Sequence, residues 1–99
     1  MTINAYENLQ IVRGTVAANG TRTAGHGFKV TKISTGKYII TFNNDFLEKP
    51  SVVATIDGVE WALLDNTHVA DATTEKVTVI TGKSDGVVGD RPFHFIALG

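Results

Sequence analysis

The stretch GFKVTKISTGKYIITFNNDFLEKPSVVAT, residues 27–55, decides the fold. Phe28 and Val30 alternate with Lys29 and Thr31, and beyond Ser34, Thr35 and Gly36 the residues Tyr38, Ile40 and Phe42 again take every second place. Successive side chains of an extended chain point to opposite sides, so each set lies on one face of a strand and the two strands predict a β-hairpin. Asn43, Asn44 and Asp45 read as a polar turn, after which Phe46 and Leu47 are expected to return to the core. Pro50 opens the next strand, a position where its missing N–H is tolerated. The apolar run Val52 to Ile56 reads as a strand buried on both faces, closed by a turn at Asp57 and Gly58.

Working outward, Leu9, Ile11 and Val12 start a first strand that continues to Val16, and Asn19-Gly20 is a hairpin-type turn because both residues tolerate positive φ. Thr21 to Gly27 is short-chained and glycine-rich, and reads as a loop or irregular edge. Further on, Trp61, Leu63 and Val69 mark a strand interrupted by Asp65 and Asn66, and Asp71 to Glu75 a polar turn. Val77, Val79 and Thr81 face one way and Thr78 and Ile80 the other, before a glycine-bracketed loop from Gly82 to Gly86. Phe93, Phe95 and Ala97 finally alternate with His94, Ile96 and Leu98, so the last strand is apolar on both faces. One face is expected in the core and the other against a neighbouring subunit, the alternative being that the sandwich's second sheet covers it. No segment carries a 3.6-residue stripe. The spacing predicts an all-β fold, an antiparallel sandwich of about six to eight strands, spanning residues 1–99 as one domain. Residues 1–8 are read as an N-terminal arm, flexible or part of an interface.

Composition narrows the function. A chain of 99 residues buries about 60–65% of its unfolded surface and has little stability to spare. It holds no cysteine, so neither a disulfide framework nor a thiolate metal site can staple it, and subunit association is the staple expected instead. A net charge of −1 with scattered basic residues argues against nucleic acid, whose phosphates demand clustered Lys and Arg. No apolar run approaches the ~20 residues of a bilayer span, and the first residues lack the basic-then-apolar pattern of a secretion signal. Membrane insertion and a cleaved leader are therefore not expected.

Catalytic patterns are missing from the sequence. His26, His68 and His94 do not pair with other ligands at metal spacing. His26 reads as an exposed loop residue with anion or sugar contact as the sharper alternative, His68 as a strand residue near a turn, and His94 as a packing or interface residue. Ser34, Ser51 and Ser84 sit in turns or at strand starts rather than on a nucleophile elbow. Gly82-Lys83-Ser84 lacks the upstream glycine of a phosphate loop. The chain is thus expected to be no enzyme and to use no cofactor or metal. What the loops do offer is the amide, imidazole, ammonium, carboxylate and guanidinium groups that hydrogen-bond sugar hydroxyls: Asn66, His68, Lys83, Asp85, Asp90 and Arg91. Asp85, Asp90 and Arg91 could also ligate a hard cation, but Asp-Gly and Gly-Asp pairs read first as plain turn chemistry. Trp61 is a stacking platform if exposed and a core residue if buried.

Phe28-x-Val30, Gly36-x-Tyr38-x-Ile40-x-Phe42, Phe46, Pro50-x-Val52-Val53 and the closing Phe93 to Gly99 resemble the small β-sandwich domains that end bacteriophage tail-fibre and bacterial surface proteins. The part from Phe42 onward is also similar to the H-type lectin fold. These resemblances imply a trimer with shallow sugar sites near subunit boundaries, on a virion or a cell surface. They also imply that His68 is a basic sugar-contacting residue and that Lys83, Ser84 and Asp85 lie in the ligand-contacting loop. The chain departs from the lectin pattern in having no cysteine and no aromatic-His pair in that loop. The function expected is a non-enzymatic, lectin-like module binding a surface glycan or polysaccharide as a homotrimer. The alternative is a structural domain that trimerises or caps a fibre and has no ligand of its own.

Overall fold

The computed structural model describes residues 9–58 and 65–99. Among them run β1 (Ile11–Val16), β2 (Arg22–His26), β3 (Phe28–Ser34), β4 (Lys37–Phe42), β5 (Ser51–Ile56), β6 (Asn66–Ala72), β7 (Lys76–Gly82) and β8 (Phe93–Leu98). They form two four-stranded sheets, ordered β2-β1-β8-β5 and β3-β4-β7-β6, and every pair is antiparallel. The all-β architecture is the one expected. The hairpin that opened the reading is β3 and β4, with Phe28 opposite Phe42, Val30 opposite Ile40 and Gly36 at φ +69° in its turn.

The sheets meet through their inward faces. Val12, Val16, Phe93, Phe95 and Ala97 of the first sheet are buried with Phe28, Tyr38, Ile40, Phe42, Val77 and Val79 of the second, and Phe46 joins them. Aromatic edges cross the interface: Phe28 meets Phe95 at 4.9 Å between centroids and Tyr38 meets Phe93 at 5.1 Å. Each such ring, fully removed from water, contributes about 1.5–3 kcal/mol. Burial pushes the Tyr38 phenol above its ordinary 10.0, and its hydroxyl donates to the Ala18 carbonyl at 2.6 Å. Phe28 needs a gap in β1 to reach Phe95, and Gly14 supplies it, since a Cβ there would overlap the Phe28 ring.

Several local expectations are corrected. Thr21 to Gly27 is mostly strand: β2 is the edge of the first sheet, held by main-chain pairing of Arg13 with His26 and Gly14 with Gly25. Its side chains carry no apolar alternation: at Gly25, with φ +93°, a Cβ would collide with the Arg13 carbonyl and the Gly14 Cα. His26 is therefore an exposed strand residue. The run from Val52 to Ile56 is not buried on both faces: β5 is an edge strand paired only with β8, and Val53 is 68% exposed. Phe46 enters the core, but Leu47 is 85% exposed. Asp71 and Ala72 still belong to β6, so the turn before β7 begins at Thr73. The strand expected around Trp61 and Leu63 lies outside the described residues.

Candidate functional site

The outer surface of the second sheet has a depression of about 180 Å³ where β6 and β7 meet the loop that follows β7. Cross-strand register builds it, placing His68 opposite Ile80 and Asn66 opposite Gly82. Because alternate residues of β6 point outward, Asn66 and His68 stand on the same rim. Lys83, Gly86 and Val88 of the loop complete the lining with Ile80, and the strand segments at Thr67 and Thr81 form part of the wall.

The loop is a tight return rather than a loose excursion. Val88 bridges back to Gly82. The Lys83 amide donates to the Val87 carbonyl at 2.8 Å, and Asp85 accepts the Val87 amide at 3.0 Å. Gly86 takes φ +84°, which a glycine adopts without steric cost. Below the turn, the buried Thr81 hydroxyl donates to the Gly89 carbonyl at 2.6 Å, so the loop stem is anchored on β7.

Of the eight residues singled out in the sequence, Asn66, His68 and Lys83 line this depression, and Ser84 and Asp85 occupy the turn beside it. Asp90 and Arg91 are not brought into its lining. Asp90 accepts the Gly36 amide at 2.7 Å and lies 3.3 Å from the Lys32 ammonium, which ties the loop to the β3–β4 turn. The Gly36 hydrogen bond, reinforced by Lys32, holds the Asp90 carboxyl below its ordinary 3.8. Arg91 donates from Nε to Asp65 at 2.7 Å and from Nη1 to the Asp90 carbonyl at 2.8 Å. These two residues fix the frame of the depression. Trp61 lies outside the described residues. Ile80 and Val88 escaped the sequence reading; the signal for Ile80 was its place across from His68, visible only once the register is known.

The polar groups differ in what they offer. Asn66 Oδ1 accepts the Thr67 amide at 2.8 Å, which uses one of its two lone pairs and leaves both N–H donors of the amide NH₂ without a protein partner among the described residues. Lys83 is 3.9 Å from Asp85, an exposed pair at the limit of an ion pair and worth little in water. His68 makes no side-chain hydrogen bond among the described residues. The Thr67 hydroxyl is buried and unpartnered among them, facing inward beneath the rim.

No known protein family matches this chain, and no curated protein or solved structure is similar to it. The site is therefore read from its own chemistry. No group of three or more His, Cys, Asp or Glu that could hold a metal occurs among the described residues, nor a helix long and apolar enough to cross a membrane.

A second polar cluster occupies the outer face of the first sheet. Thr15 Oγ1 lies 2.8 Å from His94 Nδ1, and His94 Nε2 lies 3.1 Å from Asp57. The expected packing or interface residue is thus an exposed imidazole with both ring nitrogens engaged. The order hydroxyl, imidazole, carboxylate is that of a hydrolase triad. Here the same three groups tie β1, β8 and the end of β5 together across an open sheet face, since Thr15 is opposite His94 and Thr55 pairs with it from the other side.

Proposed function

We propose that this chain is a non-enzymatic, lectin-like module that takes one sugar unit of a surface glycan or polysaccharide at the β6–β7 depression and acts as a homotrimer. One observation carries the reading: Asn66, His68 and Lys83, picked for their chemistry, share one depression with apolar Ile80 and Val88. Polar groups to hold hydroxyls beside an aliphatic surface for the C–H side of a ring are what saccharide recognition uses. The volume of 180 Å³ is below the roughly 300–1,000 Å³ of sites for drug-sized ligands and suits a single ring. Such a site binds at about millimolar strength, and linking three raises avidity by ~10²–10⁴. A glycan array spanning microbial and animal glycans, followed by calorimetry, tests this. Binding to a subset of glycans, lost in Asn66→Ala/His68→Ala, is expected; a blank array with flat thermograms overturns it.

A structural role draws on a different observation, the outer face of the first sheet. Ile11, Leu98, Ile96 and Val53 are exposed there as neighbours across β1, β8 and β5. Arg13 stands on the β1 flank, and Asp57 follows β5 on the opposite flank. We assign this face to further copies of the same chain. Opposite charges on opposite flanks let the Arg13 flank of one copy meet the Asp57 flank of the next, the head-to-tail contact a closed ring requires. If association is the whole function, variants at Asn66, His68 and Lys83 leave attachment to cells unchanged while loss of the apolar face abolishes assembly.

A further inference from the structure

We infer that the depression selects an anionic saccharide unit, a sugar ring bearing a carboxylate or sulfate, with the charged group on the side of Lys83 and His68. This rests on the sugar-site reading above and names its ligand class. The reason is the one-sided hydrogen-bonding character of the rim. Asn66 spends one lone pair of its oxygen on the Thr67 amide, so its remaining capacity is two N–H donors against one acceptor site. Lys83 adds three donors and a full positive charge, and its side chain remains 44% exposed while lining the depression. His68 adds one donor when neutral and two when protonated. Side-chain acceptors are scarce there: besides that site on Asn66 the imidazole has one at most, and Asp85 lies on the far side of Lys83 with one oxygen taken by the Val87 amide. A neutral sugar hydroxyl both donates and accepts, and its one donor finds few side-chain partners on a donor-rich rim. A carboxylate or sulfate only accepts, and charge-assisted bonds to it are about twice as strong as neutral ones.

The remaining charged groups near the site fit this assignment. Asp65, next to Asn66, is buried against Arg91 and neutralised by it. The Lys83 stem lies across Gly89, where a Cβ would collide with it, so the missing side chain at residue 89 lets the lysine lie toward the depression. Among the described residues Asp85 is the opposing charge beside Lys83, and it competes with a bound anion for the same ammonium.

Calorimetry on the full chain decides the matter with four probes: methyl galacturonide, galactose 6-sulfate, methyl galactoside, and sodium acetate. Either anionic sugar, or both, is expected to bind at least fivefold more tightly than the galactoside, and comparison of the two tells carboxylate from sulfate. Lys83→Gln is expected to erase that preference, and Asp85→Asn, which keeps the acceptor for the Val87 amide, to strengthen anionic-sugar binding about two- to threefold. Gly89→Ala is expected to weaken the anionic sugar while leaving the galactoside unchanged. Equal binding of charged and neutral sugars overturns the inference and leaves the sugar-site reading standing. Acetate binding as tightly as the uronide also overturns it, because the site is then an adventitious anion site. Silence from all four probes, together with a blank array, overturns the sugar-site reading itself.

Discussion

On the outer face of the β2-β1-β8-β5 sheet, Ile11 faces Leu98 and Ile96 faces Val53. On the outer face of the β3-β4-β7-β6 sheet, the rows run Lys29, Thr41, Lys76, then Thr31, Ile39, Thr78, and then Lys37, Ile80, His68. The inward faces are alike in kind, since both supply aromatic and aliphatic side chains to one core. Outward, one sheet carries an apolar cluster of Ile11, Leu98, Ile96 and Val53 beside Arg13 and the polar row of Thr15, His94 and Thr55, and the other is a field of Lys and Thr with single isoleucines between. Lysine and threonine on a pleated face keep it in water. A contiguous apolar cluster on an exposed face marks a surface meant to be covered. On the proposed reading the difference separates two tasks, assembly on the first sheet and recognition on the second, and each can be tested alone.

The control that breaks both comes first, because it has the largest effect. Gly14→Ala forces a methyl group into the ring of Phe28, and overpacking of this kind costs about 3 kcal/mol. At 4–8 °C per kcal/mol for a domain of this size, the melting temperature is expected to fall by about 12–24 °C in a calorimetric scan. Retention of the wild-type melting temperature would show that the contact between the sheets is looser than the geometry states.

Next, Val53→Lys with Ile96→Lys charges the apolar face while leaving the inward neighbours Val52, Ala54, Phe95 and Ala97 untouched. Sedimentation velocity is expected to give a trimer for the wild type at micromolar concentration and a monomer for the variant. Each lysine is expected to remove about 2 kcal/mol from the subunit contact. A monomeric wild type sinks the division of labour. With it intact, the variant keeps its weak affinity for a monosaccharide and loses adsorption to a glycan-coated surface.

Much of this fold is legible in the sequence, and the failures are instructive. β3, β4, β7 and β8 each have one face in the core, and their period-two patterns survive in Phe28 and Val30, in Tyr38, Ile40 and Phe42, in Val77 and Val79, and in Phe93 and Phe95. β2 hides because Gly25, opposite Gly14, sits at φ +93° with the Arg13 carbonyl and the Gly14 Cα where a side chain would go, so the strand carries no apolar residue there. β5 misleads for another reason: an apolar outward residue such as Val53 looks the same in sequence whether a sheet or nothing in its own chain covers it. The site shows the same limit. Asn66, His68 and Lys83 can be found by chemistry, and the register unites them. Asp90 and Arg91 stand near Lys83 in sequence but turn to Gly36, Lys32 and Asp65. Which way a loop side chain turns depends on partners tens of residues away, and chain proximity carries no information about that.

The smallest effect sharpens the comparison from the side of the polar sheet. Asp90 ties the loop that bears Lys83 to the β3–β4 turn, and its carboxyl is held below the ordinary 3.8 chiefly by the Gly36 amide. A depressed folded pKa means that the charged form is favoured by folding, so its contribution is fully present above about pH 4. That contribution is lost as pH falls through the lower folded value. Asp90→Asn keeps an acceptor for the Gly36 amide and removes the charge beside Lys32. Its melting temperature is therefore expected to lie slightly below wild type at pH 6, with the gap closing as pH falls below the ordinary carboxylate range, because the wild-type group then takes up its own proton. A gap of constant size from pH 6 down to pH 2 would mean that the hydrogen-bonding shape of residue 90, and not its charge, secures the loop. The apolar face is a second readout. Asp90 does not touch it, so Asp90→Asn should leave sedimentation at pH 6 the same as wild type while it alters the loop that bears Lys83.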